Sequence, residues 1–305
     1  MIPIVFSTDH NYVMQTGVCI LSLLECADKS IYDIYVIVND DVTDRDKQEL
    51  IKQASLYPDH KIGFITIGDE FKGCNEVRGI STATYSRLLI PWLLPEYDKV
   101  IFSDVDVIFR IDLASVYNLD ISGYYSAAIP AIGFRMGDRN IKKYISQLNL
   151  DANEYCNAGF LVINSKLQRE DNLKPLYLAE SAKKYTFQDQ DIINVVCKGR
   201  LKHISPKYCV TPIFYKMLLS GHTDFEEFYE SRNLIEDYKQ GRNCILHYAG
   251  EKPWNAFTFA WCDWWDTYRK SIFYNPDFEI SVSEKILKPS FSWRKIASII
   301  KHKIR

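Results

Sequence analysis
Residues 99–109 constrain this chain more than any other stretch. Val100, Ile101 and Phe102 lead into Asp104 and Asp106, and Val107, Ile108 and Phe109 follow. In an extended chain, side chains two apart point the same way, so the two carboxylates are expected to face one point in space. Paired carboxylates at the end of a buried strand are costly unless a positive charge sits with them. A divalent ion is the simplest candidate, and hard oxygen ligands suit magnesium or manganese. The chain therefore reads first as a metal-assisted enzyme acting on an anionic substrate. A solvated turn carrying two surface aspartates is the alternative; the apolar residues on both sides weigh against it.

The alternation around this segment indicates the fold class. Strands are expected at residues 2–7, 32–38, 61–67 and 99–103, with helical patterns at 14–26, 43–57 (capped by Thr43) and 81–94. Short strand–helix units of this kind give a mostly parallel α/β sheet with right-handed crossovers, which binds ligands beyond the carboxyl ends of its strands. Further on, strands are expected at 124–129, 159–163 and 244–248, and helices at 189–197 and 261–274, the last with core aromatics. With 305 residues, 47% of them apolar, the chain divides most economically into one catalytic domain, 1–280, and a tail, 281–305.

Six segments resemble, in order, the retaining glycosyltransferases of family 8, which include bacterial lipopolysaccharide galactosyl- and glucosyltransferases and glycogenin. They run from Ile4 to Tyr12, Thr84 to Leu88, Phe102 to Asp106, Cys156 to Asn164, Gln188 to Asn194 and His247 to Trp254. The resemblance spans roughly residues 2–265. It implies a nucleotide-sugar-binding domain of the A-type glycosyltransferase fold, a UDP-hexose donor and a manganese ion, with magnesium possible. Carried over residue by residue, it implies that Asp104, Asp106 and His247 hold the metal. Gly250 and Lys252 match the segment that holds the diphosphate. Asp9, Asn11 and Tyr12 match the uridine pocket, with Tyr12 stacked on uracil, and Val105 joins the donor-binding set. Arg87, Asn157, Ala158, Asp189 and Gln190 match residues around the donor sugar, with Asp189 on its hydroxyls and Gln190 near the anomeric carbon.

Each assignment has a plainer alternative. A lone histidine after an apolar strand is more often a satisfied core residue, but Gly250 and Lys252 to Trp254 tip His247 toward the metal. Lys252 also reads as a surface lysine, with its place five residues after His247 favouring the phosphate. Asp189 at a helix start reads as a favourable partner of the macrodipole, and Asn157 to Gly159 as a turn leading into a strand. His10 lies within the uridine segment but is not assigned to the site. The chain also departs from the pattern. Only Glu251 separates Gly250 from Lys252, one residue fewer than in many bacterial relatives. Residues 127–131 lack an aspartate that several relatives carry, and Gly79 stands where a relative has a histidine near its acceptor. The first departure bears on the loop geometry at the diphosphate, the other two on acceptor identity.

The formal net charge of −2 is unevenly spread. Seven of the 37 basic residues lie in 285–305, which has no acid; the remaining 30 face 39 acids, so residues 1–284 carry −9. Trp293, Ile296, Ile300 and Ile304 recur there at helical spacing. A basic amphipathic helix of this kind reads as a peripheral anchor on anionic membrane; a helix packed on the catalytic domain and a disordered tail are the alternatives. The acidic body argues against nucleic acid as a partner. No signal peptide or membrane-spanning stretch is seen, and the eight cysteines form no C-x-x-C pair, so buried thiols in the cytosol are expected.

The resulting expectation is a retaining hexosyltransferase. It would move glucose or galactose from UDP to a glycan or glycolipid acceptor, such as a lipopolysaccharide core, at the inner face of the plasma membrane. A metal-dependent phosphatase or nucleotidyltransferase, a non-catalytic UDP-sugar-binding scaffold and a transferase with a protein acceptor are the rival readings.

Overall fold
A computed structural model describes residues 1–67, 82–135, 139–219 and 242–287. Gly79 and most of the basic tail lie outside the described residues. The central sheet has seven strands: β1 (Ile2–Thr8), β2 (Tyr32–Val38), β3 (Lys61–Thr66), β4 (Val100–Ser103), β6 (Ser126–Pro130), β7 (Cys156–Ile163) and β8 (Leu201–His203). Their order is β3-β2-β1-β4-β7-β6-β8. The first four are mutually parallel, β7 runs antiparallel to both neighbours, and β8 is parallel to β6. A two-stranded ribbon, β5 (Val107–Phe109) against β9 (Ile245–His247), stands outside this sheet.

The apolar runs of the parallel strands are continuous because both faces are covered. Ile4 and Phe6 of β1 pack with Ile20, Leu23 and Leu50 from the helices Val13–Glu25 and Asp44–Ala54. Val5, one residue out of phase, packs on the other face with Leu88, Leu161 and Ile192. Thr43 caps its helix as expected, in a reciprocal capping box with Asp46. Asp46 also binds His10 Nδ1 at 2.8 Å, which accounts for His10 as a structural tie between the end of β1 and that helix.

Two expected elements differ. Residues 82–89 form a 3₁₀ run and only Ile90–Leu93 a single α turn. Thr82, Thr84 and Ser86 weaken α propensity there, and Pro91 and Pro95 limit the turn to a few residues. The helix expected to reach Tyr274 stops at Lys270. Another helix, Pro276–Leu287, crosses the boundary drawn at residue 280, and Val282 is buried with Trp264, Trp265 and Tyr268. The aromatics of the helix Trp261–Lys270 are core, as expected. No disulfide forms among the described cysteines. No helix among the described residues is long and apolar enough to cross a membrane.

Candidate active site
The two aspartates converge, but not by strand alternation. β4 ends at Ser103 and β5 begins at Val107, so Asp104, Val105 and Asp106 form the bend between a strand of the main sheet and one of the ribbon. The Asp104 N–H donates to the Gly159 carbonyl at 2.9 Å, which extends the β4–β7 contact by one residue. On the ribbon side, Val107 pairs with His247, and the Tyr248 N–H donates to the Asp106 carbonyl at 2.9 Å. The register of β5 on β9 thereby delivers His247 to the carboxylates. Val105 turns its side chain into the core, so any contact it makes with a ligand comes from its backbone.

His247 Nε2 lies 3.2 Å from Asp106 Oδ1 and 3.6 Å from Asp104 Oδ2. One ligand atom from each of the three residues falls within 4.8 Å of the others. Ligands about 2.1 Å from an octahedral ion lie about 3 Å apart when adjacent and about 4.2 Å when opposed. Two carboxylates and one imidazole at these separations fit a divalent ion and leave positions for substrate oxygens. Gly159 makes the convergence possible: a Cβ there would fall 2.5 Å from His247 Cε1 and 2.8 Å from Asp104 Oδ2. Behind the imidazole, Cys209 Sγ contacts His247 Nδ1 at 3.1 Å and Asn157 Oδ1 at 3.5 Å.

The electrostatics follow from burial and compensation. Burial alone would raise the Asp106 carboxyl, but the charges and hydrogen bonds of His247 and Lys252 outweigh it and hold Asp106 well below the usual carboxylate range. Burial opposes the charge on His247 too, yet Asp106 holds it well above an ordinary imidazole. Lys252 ion-pairs with Asp106 and donates to the Tyr248 carbonyl at 2.8 Å. Its loop is held by the aromatic core: the indole N–H groups of Trp261 and Trp265 both donate to the Pro253 carbonyl at 3.1 Å. Gly250, at φ +104°, takes the turn that brings Lys252 back to the carboxylates.

Arg87 connects this cluster to the second half of the site. Its guanidinium is 9% exposed, binds Asp104 at 2.9 Å and Asp189 at 3.1 Å, donates to the Ala158 carbonyl at 2.9 Å and lies 4.3 Å over the Phe102 ring. Asp189 is pushed up to about 6 by burial, which Arg87 opposes and Asp104 reinforces. Gln188, just before it, is a buried residue at φ +46°. Such left-handed backbone is strained for a side chain with a Cβ, and it starts the helix Gln188–Val196 where Asp189 meets Arg87. Gln190 Oε1 accepts from Asn157 Nδ2 and from the Ala158 N–H, both at 3.2 Å.

The residues matched to the uridine pocket lie at the carboxyl end of β1. Asp9 caps a single 3₁₀ turn through the Tyr12 N–H at 3.2 Å, and Asn11 is exposed. The Tyr12 ring meets Trp254 edge-on, with centroids 6.0 Å apart, so this turn adjoins the Lys252 loop. The Asp104–Asp106 bend follows β4 as the Tyr12 turn follows β1, so both lie beyond the carboxyl ends of neighbouring parallel strands. Sequence reasoning missed Cys209, Tyr155 and Asp191. Cys209 carries no motif; Tyr155 and Asp191 stand beside and inside matched segments, but their roles depend on contacts between segments.

Comparison with known proteins agrees with this geometry. A Haemophilus influenzae protein with a provisional glycosyltransferase name is 31% identical over 214 residues, which cover 68% of this chain and 63% of that protein. The chain thus spans less than two thirds of that relative's length. The lipopolysaccharide 1,3-galactosyltransferase of Salmonella typhimurium is 22% identical, covering 83% of this chain and 73% of the relative. Among solved structures, the bifunctional glycosyltransferase WbbM superposes with a TM-score of 0.73 at 27% identity, over 94% of this chain and 52% of that one. Galactosyltransferase LgtC, solved with donor and acceptor sugar analogs, superposes at 0.72 with 24% identity, over 91% and 99%, which speaks to the fold alone. Residues 3–258 match the profile of Glycosyl transferase family 8, and with the A-type glycosyltransferase fold already described, the chain belongs to that family.

Proposed function
We propose that this glycosyltransferase is a metal-dependent, retaining hexosyltransferase that moves glucose or galactose from UDP to a cell-surface glycan precursor. The observation that carries the reading is the convergence of Asp104, Asp106 and His247 beside Lys252 and Arg87. Those three side chains would hold the ion, whose chemistry when bound is Lewis-acid stabilisation of charge developing on the diphosphate. Their mixed oxygen and nitrogen donors suit manganese at least as well as magnesium. Lys252 adds a point charge for the same oxygens. Arg87 and Asp189 would serve the sugar side, where the Asp189 carboxylate, paired with Arg87 at 3.1 Å, would accept hydrogen bonds from donor hydroxyls.

The side chains also argue for retention without a covalent intermediate. A double displacement needs a carboxylate nucleophile. Gln190 is an amide, Asp189 is ion-paired with Arg87, and Asp191 is fully buried on two phenols. In the front-face alternative, the bond from the anomeric carbon to the phosphate oxygen breaks. The acceptor hydroxyl then attacks on the same face, and its proton passes to the leaving phosphate oxygen. A trapped glycosyl-enzyme adduct would count against this. The lipopolysaccharide transferases among the relatives support a glycan acceptor. The same reading puts the enzyme at the inner membrane face through residues 285–305, on the strength of their sequence alone.

The test is to incubate the protein with UDP-glucose and UDP-galactose separately, with and without manganese, and to measure released UDP. Metal-dependent release from one donor supports the reading and names the sugar. No release together with no manganese-dependent UDP binding overturns it.

A further inference from the structure
The carboxamide of Gln190 is gripped at both ends. Its Oε1 accepts from Asn157 Nδ2 and the Ala158 N–H, and its Nε2 donates to the Tyr155 hydroxyl at 3.3 Å. The same hydroxyl donates to Asp191 Oδ1 at 2.5 Å. The other carboxylate oxygen accepts from the Tyr144 hydroxyl at 2.6 Å and the Phe187 N–H at 2.8 Å. Tyr155 and Asp191 are both buried.

The polarity of this chain of hydrogen bonds runs one way. An ionised carboxylate only accepts, and a phenol has one proton. Tyr155 commits that proton to Asp191, so its oxygen is left to accept. The Gln190 NH₂ must then face Tyr155, and its carbonyl oxygen must face Asn157 and Ala158. Burial and the adjacent Asp191 push the Tyr155 phenol far above its ordinary range, so the proton stays in place. The Gln190 backbone is fixed to β7 as well: Asn194 Nδ2 donates to the carbonyls of Gln190 and Cys156, both at 2.8 Å.

We propose that Tyr155, itself oriented by Asp191, is the positioning residue for Gln190 and fixes which end of its carboxamide is presented to the sugar. This rests on the reading that Gln190 lies at the donor sugar. Tyr144 supplies the control. It also gives a hydroxyl to Asp191, but its other hydrogen bond is from the Thr186 N–H at 2.9 Å rather than from Gln190.

The experiment compares Tyr155→Phe with Tyr144→Phe in the full chain. Both remove one phenol from Asp191, and both should lower Tm by a similar few degrees. With the UDP-hexose that the wild type turns over, Tyr155→Phe should lose about tenfold in kcat at nearly constant donor KM, as expected for one hydrogen bond lost at a positioned group. Tyr144→Phe should stay within about threefold. In a Gln190→Ala background, Tyr155→Phe should add nothing. The second readout needs no turnover: the Gln190 side-chain amide resonance, assigned by its loss in Gln190→Ala. It should shift and exchange faster in Tyr155→Phe and hold in Tyr144→Phe. Equal behaviour of the two variants in kcat or in the resonance overturns the proposal, as does full activity of Gln190→Ala. A wild type that turns over neither UDP-hexose counts against the donor reading, while the resonance still decides what orients Gln190.

Discussion
The two halves of the site meet at Asn157 and Gly159 but are held by different physics. One half is ionic. Asp104, Asp106, His247, Lys252 and Arg87 crowd together, and each charge is matched by another. The other half is built on neutral amides: Gln190, Asn157 and Asn194 are fixed by directional hydrogen bonds, with Asp191 anchoring them through Tyr155. Breaking a buried charge pair costs about 3–5 kcal/mol, whereas a neutral hydrogen bond contributes about 1 kcal/mol. The ionic half should therefore fail on any change of charge at constant shape. The amide half should lose efficiency by degrees as its orientation loosens.

The largest expected effect is that of Asp106→Asn. It keeps the shape, but it leaves His247 and Lys252 without the carboxylate they share. Metal-dependent UDP release should fall about a thousandfold, the equivalent of roughly 4 kcal/mol, with the far-UV circular dichroism unchanged. Retention within tenfold across a manganese titration would sink the metal reading.

Gly159→Ala tests shape without charge. The new Cβ would meet His247 and Asp104, and neither can move without displacing a proposed ligand. A misplacement approaching 1 Å costs about a hundredfold in rate. Gly17→Ala is the counterpart away from the cleft, because its Cβ would fall 2.0 Å from the Phe273 ring. It should lower stability by about 1–3 kcal/mol and leave turnover per folded molecule intact. Melting curves beside initial rates separate the two, and a Gly159→Ala enzyme with normal rates would mean that the ligand cluster tolerates rearrangement.

The halves also differed in what the sequence revealed. The parallel strands were legible because each is a local apolar run; β2 was expected and found at Tyr32–Val38. Asp104 and Asp106 were legible because uncompensated carboxylates beside a buried strand demand an explanation. Their convergence through a bend was not, since it depends on β5 leaving the sheet to pair with β9, more than 130 residues later in the chain. The donor-sugar residues came from the family resemblance, not from local chemistry: Asn157 and Gln190 look like any polar residues until β7 and the helix Gln188–Val196 are side by side. Tyr155 and Cys209 act through side-chain hydrogen bonds to residues 35 or more positions away, and no local pattern marks them.

Asp189 stands on the border between the halves, and pH probes it. Its carboxyl is raised to about 6, above the unfolded value of about 3.9. Between those values the native state binds more protons than the unfolded state, so the Asp189 contribution to stability is full below about pH 4 and lost as pH rises through 6. Asp106 works in the opposite sense: held low, its contribution is present at neutral pH and lost as the solution turns acid. Asp189→Asn removes the first slope alone. The unfolding free energy of the wild type relative to this variant should fall by on the order of 2 kcal/mol from pH 4 to 6 and level off above 7. Urea melts at several pH values would measure it. A flat difference would mean that Arg87 fully compensates the carboxylate, which would move Asp189 into the ionic half.

Cys209 gives the smallest effect and the sharpest test of whether the halves are independent. Its thiol lies against His247 Nδ1 on one side and Asn157 Oδ1 on the other, so it touches both networks. Groups behind a ligating histidine fix its ring orientation, and losing one typically weakens metal binding 10–100-fold. A histidine that ligates through Nε2 carries its proton on Nδ1, so the sulfur accepts from it. Sulfur is a weak acceptor, so Cys209→Ala should sit at the low end, about tenfold weaker in manganese binding by calorimetry. Cys209→Ser, with a hydroxyl oxygen that accepts from Nδ1–H in the same place, should recover most of that. If the thiol also steadies Asn157, the alanine variant should lower kcat even at saturating manganese, because Asn157 donates to Gln190. Full recovery of kcat at saturating manganese would instead confine Cys209 to the ionic half and leave Gly159 and Arg87 as the links between the two.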